Sequence, residues 1–81
     1  MLINEINKFD TLMATVIRTS RDSAYLKINE LENAEPIVIL HDFDGYKGDN
    51  LLVSVGKISA DQKYIKVYLD SYLNQSMCLV A

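Results

Sequence analysis

YKGDNLLVSVGKISADQKYIKVYLD, residues 46–70, runs as two apolar-rich segments on either side of a short polar break. In its second half Ile65, Val67 and Leu69 alternate with Tyr64, Lys66, Tyr68 and Asp70. Successive side chains of a strand point to opposite faces, so this alternation places the three aliphatic residues inside and the tyrosines and lysine outside. Residues 51–58 form the preceding strand, and Ala60, Asp61 and Gln62 the turn of an antiparallel hairpin. Gly56 interrupts that strand, where a missing side chain permits a bulge or the coiling of a small closed sheet.

The pattern extends outward through the chain. Residues 23–29 put Ala24, Leu26 and Ile28 on one face and Tyr25, Lys27 and Asn29 on the other, and strand formers dominate residues 12–19 and 36–41. That makes five strands. Arg21, Asp22 and Ser23 read as a second hairpin turn, and Pro36, which donates nothing to a ladder, is expected to open the third strand at an edge. Helical signals are short: Leu2, Ile6 and Phe9 near the start, and Leu69, Tyr72 and Leu73 within residues 69–77. Five strands, two hairpins and one long connection predict an all-β, five-stranded antiparallel small barrel over about residues 10–72, with an SH3-like barrel as the main competing architecture.

With 81 residues the chain is expected to be a single domain with one core. Residues 1–10 lack the basic start and apolar run of a secretory signal, and no apolar run approaches the roughly 20 residues of a membrane span, so a cytoplasmic location is expected. One cysteine, Cys78, and one histidine, His41, give neither an internal disulfide nor zinc-ligand spacing. No nucleophile is paired with a base, and Asp42, Asp44 and Asp49 lack the spacing of a calcium loop, so neither an enzyme nor a cofactor is predicted. Residues 78–81, CLVA, match a prenylation pattern without the basic run that usually precedes it.

Tyr46-Lys47-Gly48-Asp49, the Val-containing strand 51–58, the turn 59–63 and the last strand 64–68 together resemble the S1 domains, a branch of the OB-fold. Ser23-Ala24-Tyr25-Leu26 is similar to the family's Gly-Ala-Phe-Val segment, and Ile39-Leu40-His41 to its segment ending in His. Asp22 and Tyr64 stand where the family has an aromatic and an Arg, and the connection between the third and fourth strands is shorter. The resemblance implies single-stranded RNA binding and assigns His41 to the site.

The residues lead to the same ligand independently. Tyr25, Lys27, Tyr64, Lys66 and Tyr68 are expected on outer faces, where rings stack on unpaired bases and ammonium groups meet phosphates. Tyr and Lys also simply cover exposed pleated surface well. Against a polyanion stands the net charge of −3, but six of eleven acids fall within residues 30–49 beside one base, leaving seven bases against five acids elsewhere. Single-stranded RNA or DNA is therefore the first expected partner. The rival is a protein-interaction barrel using the acidic 30–49 segment or a sheet edge, and a third reading has the apolar tail 77–81 supporting self-association.

Overall fold

In the computed structural model, which describes residues 1–32, 34–43 and 45–73, five strands close into a barrel. β1 (Thr11–Ser20), β2 (Ser23–Ile28), β3 (Ile37–His41), β4 (Asn50–Ile58) and β5 (Tyr64–Tyr72) match the expected strands to within two residues. Around the barrel the order is β1-β2-β3-β5-β4, and β4 closes on β1. Four pairings are antiparallel, whereas β3 and β5 are parallel. The reason is directional: β4 runs opposite to β1 and β5 opposite to β4, which leaves β5 pointing the same way as β3. This order is consistent with an OB-like Greek-key barrel.

The interior follows from alternation. Leu12, Ala14 and Val16 on β1, Ala24, Leu26 and Ile28 on β2, Val38 and Leu40 on β3, Leu51, Val53 and Val55 on β4, and Ile65 and Val67 on β5 are all buried. Three bulges bend this small sheet into closure, at Ile17 on β1, Gly56 on β4 and Asp70 on β5, where the register skips one residue. Gly56 thus has the bulge expected of it.

Several expectations are corrected. Leu69 is 39% exposed and contributes nothing to the core. The Asp70 bulge bends β5 just after it, and Tyr72 packs against the core instead. β3 is not an edge strand, because β2 and β5 flank it; Pro36 precedes it, and Ile37 N donates to Lys63 O at 2.7 Å. Near the start a single 3-10 turn, Ile3–Glu5, buries Ile3 and Ile6 and leaves Leu2 and Phe9 exposed, because a three-residue turn does not sustain the helical spacing expected of Leu2, Ile6 and Phe9. Residues 69–72 are strand, not helix. The expectations for Asp44, for residues 74–77 and for the 77–81 tail with its CLVA end lie outside the described residues.

The turn between β4 and β5 is held by its own side chains. Ser59 Oγ donates to Asp61 Oδ1 at 2.6 Å, and the Lys63 amide donates to the same oxygen at 3.0 Å. Ser59 Oγ in turn accepts from the Tyr64 amide at 3.0 Å. These donors, Ser59 first and the Lys63 amide second, hold the fully exposed Asp61 carboxyl below its ordinary value of 3.8. A depressed carboxyl contributes stability above its unfolded pKa and loses it as pH falls through the lower folded value. In an acid titration followed by NMR, the Lys63 amide should therefore respond with a midpoint below 3.8; a midpoint at or above that value would mean that the turn does not hold the carboxylate.

Candidate nucleic-acid interface

Residues that alternate with the core positions of β2, β3 and β5 form one outer face. Tyr25 pairs with Ile39 and Ile39 with Lys66; Ile37 pairs with Tyr64, and Ser23 with His41. Continuing the same registers sets Lys27 beside Ile37 and His41 beside Tyr68. The result is three rows across three strands: Lys27, Ile37, Tyr64; Tyr25, Ile39, Lys66; and Ser23, His41, Tyr68. All six residues singled out from the sequence share this surface. None of the nine positions holds a carboxylate.

The side chains are arranged as stacked cations and rings. The Arg18 guanidinium lies 4.3 Å from the centroid of the half-buried Tyr25 ring, which it covers. The Ile17 bulge brings it there, since the skipped residue pairs Arg18 with Tyr25. Lys66 Nζ sits 5.5 Å from the Tyr68 ring. Tyr64 and Tyr68 are each 55% exposed, so both present apolar area to solvent. A Cβ on Gly56 would come within 2.3 Å of the Tyr68 ring, so the ring lies directly over that glycine. His41 is exposed, with Nδ1 3.3 Å from Ser23 Oγ.

Beside this face runs an open groove of about 940 Å³, bordered by Arg18, Tyr25, Lys27, Leu31, Pro36 and Ile37. A smaller groove of about 300 Å³ lies across the Pro36 and Ile37 ridge, next to Lys63 and Tyr64. Glu32 and Glu35 stand on the rim of the larger one. Part of the acidic 30–49 segment is engaged within the fold: Glu32 Oε2 is 3.0 Å from the Met1 ammonium, and Asp49 Oδ2 accepts from the Tyr46 amide at 2.9 Å.

Sequence reasoning missed Arg18, Ile37 and Ile39. For Arg18 no local signal exists, because only the bulge determines which strand neighbour it meets. For the two isoleucines a signal was present: Ile37-Val38-Ile39-Leu40 is apolar on both faces, the pattern of a strand covered on both sides. Yet Ile37 is 45% exposed. Among the described residues no group of three or more His, Cys, Asp or Glu side chains converges as a metal site, and no helix is long and apolar enough to cross a membrane. The chain matches no protein-family model and no curated protein.

Proposed function

We propose that this chain is a non-catalytic, S1-like module of the cytoplasm that binds single-stranded nucleic acid, RNA in preference to DNA. One observation carries the reading: a carboxylate-free outer face on which an apolar stripe, Ile37 and Ile39, lies between rings and cations on β2 and β5. Bases stack on Tyr64 and Tyr68 and against the Arg18 and Tyr25 pair, which offers a guanidinium plane as its outermost layer. Lys27 and Lys66 meet phosphates, and His41 extends the row to the end of β3. The six acids of residues 30–49 occupy none of the nine positions, although Glu32 and Glu35 rim the groove beside them, so the net charge of −3 lowers long-range attraction without putting a carboxylate on the face itself.

Tyr64→Ala is expected to weaken binding of a labelled oligoribonucleotide by about 1–3 kcal/mol, the range for one stacked base. Tyr25→Ala should act in the same range, and both variants should keep the wild-type circular dichroism spectrum. Fluorescence anisotropy at low salt measures the effect. Unchanged affinity in both variants would remove the reading, and a wild-type chain that ignores RNA and DNA yet pulls down a defined protein would favour the interaction barrel.

A further inference from the structure

We infer that the ligand track continues past the nine-position face, over β4, to a stacking platform at Phe9, with a phosphate held between Lys57 and Lys66. This deepens the nucleic-acid reading and rests on it. Lys57 and Lys66 are direct cross-strand partners. Like charges in that position repel, and among the described residues the one ion pair, Met1 with Glu32, neutralises neither. An anion between the two ammonium groups removes the repulsion.

From there the surface leads to Phe9. The Tyr68 ring rests on Gly56, the residue bulged out of β4 beside Lys57. On the other side of β4, Phe9 N donates to Val55 O at 2.7 Å, and Val55 N to Asp10 O at 2.8 Å. Tyr68 and Phe9 therefore flank one strand, with backbones about 10 Å apart by the usual strand spacing. Phe9 is 77% exposed, and Lys8 Nζ lies 5.2 Å from its ring centroid. Its φ of 75° falls in the left-handed region, which glycine occupies freely and a bulky side chain only at a cost. A turn between Asn7 and Asp10 imposes this conformation, with Asp10 N donating to Asn7 O at 3.1 Å. The ring gains almost no burial in return. A strained position occupied by an exposed aromatic, with the Lys8 ammonium over its ring and Asp10 next in the chain, fits a ring presented to a ligand.

The test uses the full chain and two labelled oligoadenylates, one of about four nucleotides and one of about ten, within the usual span of sites on such barrels. Phe9→Gly should keep or raise the melting temperature, weaken the longer oligomer about tenfold and leave the shorter one unchanged, while Phe9→Tyr should bind like wild type. Lys57→Gln should lower the slope of log affinity against log salt for the longer oligomer by about 0.7. If both oligomers bind Phe9→Gly and Lys57→Gln as they bind wild type while Tyr64→Ala still weakens them, the extended track is wrong and the nucleic-acid face stands. A lower melting temperature for Phe9→Gly would show a ring packed rather than presented, and would overturn the inference too. Failure of wild type to bind either oligomer removes the whole nucleic-acid reading.

Discussion

Phe43→Ala should lose about 3–5 kcal/mol of unfolding free energy, the usual cost of deleting a buried phenyl ring. Phe43 lies in the loop after β3, yet it is among the core residues and 5% exposed. Its ring stacks on Tyr72 with centroids 5.7 Å apart and an interplanar angle of 25°. It also fills the space where a Cβ on Gly45 would stand, within 2.3 Å. Neighbours on two sides are thus shaped to the ring, and backbone constraints limit how far they can collapse into the void. One kcal/mol moves the melting temperature of a domain this small by about 4–8 °C, so a fall of more than about 10 °C is expected. Urea titration provides the check: the midpoint should drop with little change in slope. A loss below about 1 kcal/mol would mean that the loop does not plug the barrel.

Ile65→Ala should cost about 2–5 kcal/mol, whereas Lys66→Ala, one residue along, should stay within about 1 kcal/mol of wild type. Ile65 is wholly buried and pairs with Val38 on one side and Ile58 on the other, so its side chain meets two strands of the interior. Lys66 is half-buried on the outer face, with its ammonium over Tyr68. The contrast tests the alternation on which the assignment of the outer face depends. Equal losses at the two positions would mean that β5 does not divide cleanly into inner and outer sides, and the stacking surface would lose its basis.

The strands were legible because each is long enough for period-two alternation to show, and burial on one face enforces that period. Tyr25, Lys27, Tyr64, Lys66 and Tyr68 could be assigned outward on that ground alone, and His41 joins them through the pairing of β2 with β3. What stayed hidden arises from contacts between distant segments. Leu69 keeps its register opposite the buried Val53 yet is 39% exposed, while the skip at Asp70 sets Tyr72 opposite Leu51 and against the core, and nothing in Leu69-Asp70-Ser71 announces a skipped residue. Phe43 sits in a Gly-containing loop whose local composition favours solvent, and its place in the core comes from distant partners such as Tyr72. Arg18 reaches Tyr25 through a register skip at Ile17. Phe9 looked like part of an amphipathic turn, because its left-handed backbone follows from the turn that joins it to β4.

The seam between β1 and β4 joins Thr11 to Ser54 and Thr15 to Asn50, so β2 and β3 with their connections all lie between the paired residues. A nascent chain leaving the ribosome can pair β1 with β2 early, but that ribbon keeps one apolar side wet until β4 emerges. Closing so long a loop before any seam contact forms is entropically costly, which places this barrel among the slower small folders, in roughly the millisecond-to-second range. During that interval the unpaired side of β1 is open to whatever else is being synthesised nearby.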